Sequence, residues 1–349
     1  MAEKRLAVIA GGRGVIGRAL AEHLATRDGW DVVALSRGKT ESSGKIRNVQ
    51  LDLLDAKATM EGLARVGKPT HLFFAAYQDR SDARELADLH LTMLQNFVRA
   101  GAALPTLERV TLYEGAKYYG VHLGPFKTPA VEDDPRHIPP NFYYAMEDWL
   151  RAEAKGKSWA PLVLRPDVVC GSVVGNGFNI VMLIAVYAAI SKHLGVPLRF
   201  PGTPECYRAL AQVTDSTHLA RASEWAATSA PAGEAYNVTN GDIFRWEQMW
   251  PVFAEFFDMP LGNLQTIPVA ETMKDKAPVW ESIVKQHNLV PTQWQGIALW
   301  GAADFVLRCG YDVVSSTTKI RQAGFENIVD SKEMFLRMLG DFRKRRLIP

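Results

Sequence analysis

The amino-acid sequence predicts an α/β protein with a doubly wound parallel sheet and a smaller, mostly helical C-terminal lobe. Three observations support this fold class. Short runs of β-forming residues alternate with longer amphipathic stretches through the first half of the chain, which is typical of a parallel sheet with helices on both faces. A glycine-rich segment directly follows the first of these runs. After Arg165 the alternation ends, and the remaining sequence is rich in tryptophan and in helix-like segments.

The first strand is predicted over residues 6–10, a short apolar run. The glycines follow, and then a helix that carries Ala19, Leu20 and Leu24 at helical spacing. Further strands are expected at residues 31–35, 49–51, 71–76, 108–113 and 161–164, with helices in the gaps, notably at residues 83–100 and 145–153.

The segment GGRGVIG places glycines at positions 11, 14 and 17. A dinucleotide's pyrophosphate needs close approach of the backbone and a helix N-terminus directed at it, and glycine permits both because it lacks Cβ and tolerates positive φ. An ordinary tight turn is the alternative, but the position between the first strand and a helix favours dinucleotide binding. The G-x-x-G-x-x-G spacing resembles that of the extended short-chain dehydrogenases/reductases, so we expect a Rossmann-type sheet.

The end of the second strand indicates which nicotinamide cofactor binds. An acidic residue there would bind the ribose 2′-hydroxyl of NAD, whereas this chain has Ser36 and Arg37, with Arg13 in the glycine loop. A guanidinium group pairs with a 2′-phosphate through charge-assisted hydrogen bonds, so NADP(H) is favoured. A plain surface arginine is the alternative for Arg37. Asp52, after the third strand, suits either the adenine amino group or a turn.

Residues 1–170 are therefore predicted to form the NADP(H)-binding domain, with a returning segment near residues 213–240. Residues 171–212 and 241–349 are predicted to form a substrate-binding lobe, which includes the glycine-rich residues 171–177. The pattern leaves open whether the tryptophans of this lobe line a pocket, fill a core or form the face of a homodimer. They are Trp246, Trp250, Trp280, Trp294 and Trp300.

Composition excludes several classes of function. A net charge of +2 on 349 residues argues against a nucleic-acid or membrane partner. The three cysteines and eight histidines show no metal-ligand spacing, so no metal is expected. The apolar segment at residues 180–190 is about half as long as a bilayer span. These features predict a cytoplasmic protein with a small-molecule substrate.

The position of the catalytic group is unusual. Short-chain dehydrogenases usually carry Tyr-x-x-x-Lys on the helix after the fifth strand, where the lysine lowers the pKa of the tyrosine. Here Tyr143 and Tyr144 occupy this place, but Glu147 and Asp148 stand four residues further on. A carboxylate would raise the pKa of a phenol. Either the site is inactive or a cation comes from elsewhere, and Lys117 is the expected source because it emerges at the carboxyl edge of the sheet.

Four motifs carry a more specific resemblance: EGAKYYG at residues 114–120, GPF at 124–126, NFYYAMED at 141–148 and RPDVVCG at 165–171. With residues 186–193, 235–242 and 278–281, they resemble the progesterone 5β-reductase/iridoid synthase-like (PRISE) family of atypical extended short-chain reductases, over nearly the whole chain. The chain departs from the plant members at Ala116, where they carry arginine, and in a shorter run between Lys117 and the tyrosines. The plant steroid and iridoid substrates are therefore not carried over.

The resemblance implies 1,4-reduction of the activated C=C bond of an enone or enal, with NADPH as the hydride donor. Tyr143 would donate a hydrogen bond to the substrate carbonyl oxygen, with Tyr144 as the alternative, and Lys117 would supply positive charge nearby. Tyr77, Phe126 and Phe178 are either pocket residues or plain packing residues. The residues expected to bind the cofactor are Gly11, Arg13, Gly14, Val15, Ile16, Gly17, Ser36, Arg37, Asp52, Leu53, Ala75, Ala76, Tyr143, Pro166 and Val168.

Two other functions remain open. A carbonyl reductase or sugar-nucleotide epimerase of the extended family would need the Tyr-x-x-x-Lys pair, which this sequence lacks. A sensor that binds NADP(H) and has lost its chemistry would also lack that pair, and Lys117 together with Tyr143 argues against it. Titration with NADPH and an enone separates a sensor from an enzyme.

Overall fold

The strands of the first half form a single parallel sheet, as the sequence predicts. The structure, a computed structural model, describes residues 4–38, 41–173 and 178–349. Its strands are β1 (Arg5–Ala10), β2 (Trp30–Ser36), β3 (Ile46–Gln50), β4 (His71–Phe74), β5 (Arg109–Tyr113), β6 (Ala160–Pro166), β7 (Val169–Cys170), β8 (Leu210–Ala211), β9 (Thr214–Asp215), β10 (Ala235–Val238) and β11 (Phe244–Arg245).

Helices connect most of the strands. They are α1 (Val15–Ala25), α2 (Ala56–Val66), α3 (Ala83–Ala102), α4 (Phe142–Glu153), α5 (Ile180–His193), α6 (Pro204–Arg208), α7 (Ser216–Thr228), α8 (Trp246–Phe256), α9 (Val269–Met273), α10 (Ala277–Gln286), α11 (Trp294–Ile297), α12 (Trp300–Leu307), α13 (Thr318–Gln322) and α14 (Ser331–Lys344). A 3-10 turn lies at Ala116–Tyr119. None of these helices is both long and apolar enough to cross a membrane.

Seven strands form the main sheet in the order β3-β2-β1-β4-β5-β6-β10, and all neighbouring strands are parallel. The last four residues of β1 and all of β4 are buried, as expected for a sheet covered on both faces. The strand order reverses between β1 and β4. The crevice at their carboxyl ends is therefore the place where a doubly wound sheet binds its ligand.

Helix α4 begins three residues earlier than predicted, at Phe142 instead of residue 145. Asn141 explains the difference, because its side-chain oxygen accepts a hydrogen bond from the backbone N–H of Tyr143 at 2.9 Å and so caps the helix. Both tyrosines of the predicted site therefore lie in the first turn of α4.

The chain divides into two compact units. The first consists of Met1–Asp167, Ser216–Val238 and Ser316–Asn327 and contains the parallel sheet. The second consists of Val168–Asp215, Thr239–Ser315 and Ile328–Pro349. Of the glycine-rich stretch at 171–177, residues 174–177 lie outside the described residues.

One segment falls in a different unit from the one that the sequence indicates. Residues 316–327 belong to the first unit, although all of residues 241–349 are predicted to form the lobe. The reason is local pairing with the last strand of the sheet. The side-chain amide of Asn237 on β10 donates to the carbonyl oxygen of Ser316 at 3.2 Å, and Lys319 forms an ion pair with Glu234 at 2.7 Å.

The second unit has its own apolar core. Helix α5 is buried along most of its length and contacts α10, α12 and α14. Trp246, Trp250 and Trp280 are almost wholly buried in this core. Trp294 and Trp300 are half-buried, with ring centroids 5.5 Å apart. The first three tryptophans therefore fill a core, which the sequence pattern alone left open.

Candidate active site

A glycine loop joins β1 to α1 at the carboxyl edge of the sheet. Gly11 has a φ of +82°, and a Cβ there would lie 2.5 Å from the carbonyl oxygen of Ala75. A Cβ at Gly12 would lie 2.5 Å from the Cβ of Ala34, and one at Gly17 would overlap the carbonyl oxygen of Gly11. A side chain is therefore excluded at all three positions, and the loop packs closely against β2 and the end of β4.

The N-terminus of α1 has no capping side chain. Gly14 is the N-cap residue, and the first turn contains no acidic residue. Val15 and Ile16, the first residues of the helix, are half-buried. The N–H groups of a first helical turn and the helix dipole favour an anion, so this terminus fits a pyrophosphate group.

Two guanidinium groups lie near the end of β2. The Arg13 guanidinium occupies the space that a side chain at Gly38 would need, and Arg37 donates to the side-chain oxygen of Gln78 at 2.7 Å. The Ser36 hydroxyl donates to the carbonyl oxygen of Gly38 at 2.8 Å. Neither arginine forms an ion pair with a carboxylate of the described residues, and both are exposed. Their positive charge is therefore available to a phosphate.

Asp52 and Leu53 follow β3. One carboxylate oxygen of Asp52 accepts the N–H of Leu54 at 3.0 Å, so this residue forms a turn and has its second oxygen left for a ligand. The Leu53 side chain is buried in the core of the sheet domain, and its carbonyl oxygen accepts from Asn96 at 2.8 Å. Only the backbone N–H of Leu53 is therefore suited to contact a cofactor.

Ala75 and Ala76 follow β4 and pack against the glycine loop. A Cβ at Gly11 would lie 2.8 Å from the backbone nitrogen of Ala76, and the N–H of Ala75 donates to the carbonyl oxygen of Ala10 at 3.0 Å. Both alanines are half-buried. Their small side chains keep the crevice beside the glycine loop open.

The Tyr143 hydroxyl lies beside Gly115, the second residue after β5. A Cβ at Gly115 would lie 3.1 Å from this hydroxyl oxygen and 3.3 Å from the carbonyl oxygen of Pro166. No residue in the described ranges forms a hydrogen bond with the Tyr143 hydroxyl. Burial and the nearby Glu114 carboxylate raise the pKa of this hydroxyl well above the usual range. The group therefore keeps its proton and is available to donate it in a hydrogen bond.

Tyr144 has a different environment. Its hydroxyl donates to the carbonyl oxygen of Tyr118 at 2.6 Å and accepts the N–H of His137 at 3.2 Å. Its side chain is buried against Tyr118 and Tyr119. The hydroxyl of Tyr144 thus both donates and accepts a hydrogen bond within the protein, so this side chain has a structural role that connects α4 with Tyr118 and His137.

Lys117 lies in the 3-10 turn, two residues after Gly115. Its side chain is half-buried, and its ammonium group has no hydrogen-bond or ion-pair partner among the described residues. Its carbonyl oxygen accepts the side-chain amide of Asn141 at 2.9 Å. Lys117 and Tyr143 are therefore connected in two ways. The Tyr143 hydroxyl lies beside Gly115, two residues before Lys117, and Asn141 forms hydrogen bonds with both residues.

The two carboxylates of the NFYYAMED motif are bound by arginines. Glu147 is buried and bonds Arg165 at 3.1 Å, Arg136 at 3.0 Å and Arg151 at 2.8 Å. Asp148 pairs with Arg136 at 2.7 Å. Although burial acts in the opposite direction, these arginines lower the pKa of Glu147. The carboxylate expected to raise the pKa of Tyr143 is thus neutralised within a buried ion network.

Of the carboxylates near Tyr143, Glu114 raises the pKa of its phenol more than Asp167 does. Its side chain is wholly buried, with one oxygen 2.7 Å from the Arg165 guanidinium and the other without a partner in the described part of the chain. Burial raises the pKa of Glu114 to about 8, although the positive charge of Arg165 opposes the change. The charge of Glu114 in turn contributes to the raised pKa of Tyr143.

The residues predicted to line an apolar pocket are placed differently. Tyr77 is half-exposed, with its ring centroid 6.1 Å from that of Phe142, beside Tyr143. Phe126 is half-buried and packs against the cluster of tyrosines that Tyr143 also contacts. Phe178 is exposed and, like Val168, belongs to the second unit. The first unit therefore brings Tyr77 and Phe126 to the surroundings of Tyr143.

Comparison with known proteins identifies the family. A model described as a PRISE-like Rossmann-fold domain matches residues 46–349. The chain belongs to the PRISE-like Rossmann-fold family. It is 32% identical to an (S)-8-oxocitronellyl enol synthase of Camptotheca acuminata, over 99% of this chain and 93% of that protein. It is also 32% identical to a short chain dehydrogenase of Penicillium aethiopicum, over 99% of each chain. The predicted family is confirmed, and this PRISE-like chain is a member of an oxidoreductase family.

Solved structures show the same fold. The enzyme WbmG of Bordetella bronchiseptica, in complex with NAD and UDP, is similar with a TM-score of 0.69 and 17% identity, over 99% of this chain and 97% of that chain. A UDP-glucose 4-epimerase of Thermus thermophilus in complex with NAD has a TM-score of 0.70 and 18% identity, over 97% of this chain and 99% of that chain. These similarities confirm the Rossmann-type fold of the PRISE-like chain.

Glu114 and Asn141 have no role predicted from the sequence, although both lie in the motifs EGAKYYG and NFYYAMED. Asn141 carries a detectable signal, since asparagine before an apolar turn is a common helix cap. Glu114 carries none, because its burial and its pairing with Arg165, 51 residues away, follow from the packing of β5 against β6.

Proposed function

We propose that this PRISE-like protein uses NADPH to reduce the activated C=C bond of an enone or enal by 1,4-addition. The observation that carries the proposal is the Tyr143 hydroxyl, a donor without a protein partner in the described residues, held beside Gly115 close in sequence to Lys117. The name of the Camptotheca acuminata relative, an (S)-8-oxocitronellyl enol synthase, adds support, because an enol is the product expected when hydride adds to the β-carbon of an enal.

In this reaction Tyr143 donates a hydrogen bond to the carbonyl oxygen of the substrate as negative charge develops there. The contribution is that of an oxyanion hole, in which a fixed donor is strongest where the charge of the transition state appears. Lys117 adds positive charge near the same oxygen. Bound NADPH would supply the hydride to the β-carbon, and water supplies the proton that the α-carbon requires.

The residues present fit NADPH. The uncapped first turn of α1 would bind the pyrophosphate, and the side-chain-free surface of Gly11 and Gly12 leaves room for its close approach. Arg13 and Arg37 would bind the 2′-phosphate, since neither guanidinium is neutralised by a carboxylate of the described chain.

The first test compares the two adjacent tyrosines. Tyr143→Phe should lower the turnover of NADPH with a small cyclic enone by about a hundredfold or more, the usual effect of losing one oxyanion donor. Tyr144→Phe removes the hydroxyl group of the adjacent tyrosine and is the matched control. It should cost about 1 kcal/mol of stability through its lost hydrogen bonds and leave turnover near that of the wild type. The readouts are NADPH oxidation, identification of the product and the thermal midpoint.

Each result has a defined meaning. A saturated ketone formed by the wild type and lost in Tyr143→Phe supports the proposal. An allylic alcohol would move the protein to the carbonyl reductases. Tight NADPH binding without turnover of any enone would favour a sensor. Loss of turnover in Tyr144→Phe alone would transfer the donor role to Tyr144.

A further inference from the structure

Asn141 connects the two residues that the proposed reaction depends on. It is buried, stands directly before α4 and has extended backbone angles, with φ of −139° and ψ of 123°. Its side-chain oxygen accepts the backbone N–H of Tyr143 at 2.9 Å. Its side-chain nitrogen donates to the carbonyl oxygen of Lys117 at 2.9 Å. A single planar amide thus binds the backbone of Tyr143, the proposed hydrogen-bond donor, and the backbone of Lys117, the proposed cation.

The Lys117 end of this connection is a turn that needs fixing. The 3-10 turn at Ala116–Tyr119 is short and ends at Gly120, which has a φ of +89°. Hydrogen-bond geometry is poorer in 3-10 turns than in α-helices. The Gly120 N–H reaches the Lys117 carbonyl oxygen at a long 3.3 Å, so the amide of Asn141 makes the shorter bond to this oxygen.

Helix capping alone does not require an asparagine. Asp55, Asp82 and Asp330 cap α2, α3 and α14, and each of them acts only as an acceptor of backbone N–H groups. An aspartate or serine would cap α4 equally well. An amide differs by also carrying two N–H donors. One of them serves Lys117, and the second points at Nε2 of His137, 3.2 Å away.

His137 completes the surroundings of this amide. Its Nδ1 lies 3.1 Å from the carbonyl oxygen of Ile138, and its Nε2 lies 3.2 Å from the side-chain nitrogen of Asn141 and 3.3 Å from the carbonyl oxygen of Lys117. The orientation of the Asn141 amide is determined by its bonds to Tyr143 and Lys117, because only its oxygen can accept the Tyr143 N–H and only its nitrogen can donate to the Lys117 carbonyl oxygen. The same amide therefore links the backbone at Lys117 to the backbone at Tyr143.

We propose that Asn141 is a positioning residue that sets the place of Lys117 relative to the Tyr143 hydroxyl at the substrate carbonyl oxygen. This role rests on the proposed function of those two residues. Asn141 acts through Lys117 and has no contact with the substrate. Its side-chain N–H positions Lys117 for the reaction, whereas its side-chain oxygen caps helix α4. Substitution can therefore separate the two contributions.

The experiment uses Asn141→Ser, which keeps a capping oxygen but is too short to reach Lys117, and Asn141→Ala, which loses both bonds. Asn141→Ser should retain the thermal midpoint and the KM for NADPH and lose at least about tenfold in kcat with the enone. Asn141→Ala should lose both activity and stability. The control is Asp82→Ser, the same kind of change at the cap of α3, which should leave kcat unchanged. In a Lys117→Ala background, Asn141→Ser should have no further effect on kcat, because the two changes remove one function.

A second measurement does not depend on turnover. With reductively ¹³C-methylated lysines, the NMR resonance assigned to Lys117 by its loss in Lys117→Arg should move in Asn141→Ser towards the positions of exposed lysines, and stay in place in Asp82→Ser. An unmoved resonance, or normal kcat in Asn141→Ser, overturns the inference. A wild-type enzyme that turns over no enone, with a resonance that still moves in Asn141→Ser, would overturn the proposed function and leave the positioning of Lys117 by Asn141 intact.

Discussion

At the scale of single residues, Glu114 should control how the rate depends on pH. Burial raises its pKa to about 8, and its ionised form raises the pKa of Tyr143, which makes that phenol a weaker hydrogen-bond donor. Protonated Glu114 therefore favours the reaction, and kcat should fall severalfold as the pH rises through the pKa of Glu114. The measurement is kcat with saturating NADPH and enone between about pH 6 and pH 9.

Glu114→Gln provides the comparison for this pH dependence. The amide keeps a side-chain oxygen for Arg165 and cannot ionise, so the fall in kcat near the pKa of Glu114 should be absent. The exposed Glu22→Gln on α1 should show the wild-type profile. If Glu114→Gln and the wild type lose activity in parallel, another group titrates and Glu114 does not act on Tyr143.

The site residues that could be predicted from the sequence are those whose expected role follows from their position relative to a predicted strand or helix. Glycines between a strand and a helix, an arginine after the second strand and a lysine after the fifth strand all follow from position along the chain. Tyr143 required family resemblance, because its spacing to Glu147 argued against it. The structure gives the reason that spacing misled: three arginines surround Glu147, and Arg165, one of them, lies 18 residues away in sequence.

At the scale of elements, the junction of β1 and α1 should tolerate no side chain at its last glycine. A Cβ at Gly17 would overlap the carbonyl oxygen of Gly11, a backbone atom that cannot turn aside. Gly17→Ala should therefore displace the start of α1 and weaken NADPH and NADH alike, by about tenfold or more (about 1.4 kcal/mol). Fluorescence titration of both nucleotides measures the effect.

Gly340→Ala in α14 is the matched control for this substitution. A Cβ there would meet no atom within 4 Å, so the change should leave nucleotide affinity unaltered and raise stability by about 0.5–1 kcal/mol through the helix propensity of alanine. Normal nucleotide affinity in Gly17→Ala would show that the loop adapts and that its close packing is not needed for binding.

Most elements were predictable because hydrophobic periodicity reports burial, but their ends and partners were not. Strand β4 is two residues shorter than predicted, and Ala75 and Ala76, which follow it, pack against the glycine loop. Helix α4 starts earlier because of its Asn141 cap. Helix α13 joins β10 because Lys319 pairs with Glu234, 85 positions earlier by their numbers, and no local pattern signals such a contact.

At the scale of the whole molecule, the parallel sheet could be predicted from the sequence. The distribution of the predicted site residues and the tryptophans between the two units could not. The first unit brings together the glycine loop, both arginines, Lys117 and Tyr143, all within residues 1–167. The second unit contains the buried tryptophans, whose spacing fitted a core and a pocket equally well. Its assignment as the substrate-binding lobe therefore remains a prediction.

Stabilisation of the whole chain by nucleotides should report cofactor preference without any turnover. A ligand at a hundred times its Kd stabilises the folded state by about 2.7 kcal/mol, so NADPH should raise the thermal midpoint by several degrees and NADH by less at equal concentration. Arg37→Ala should reduce the shift with NADPH and leave the shift with NADH unchanged, because only NADPH carries the phosphate that the guanidinium would bind. Arg65→Ala, an exposed arginine on α2, should change neither shift. Equal loss of both shifts in Arg37→Ala would show that this residue supports the fold of the crevice, and the preference for NADPH would then depend on Arg13 or be absent.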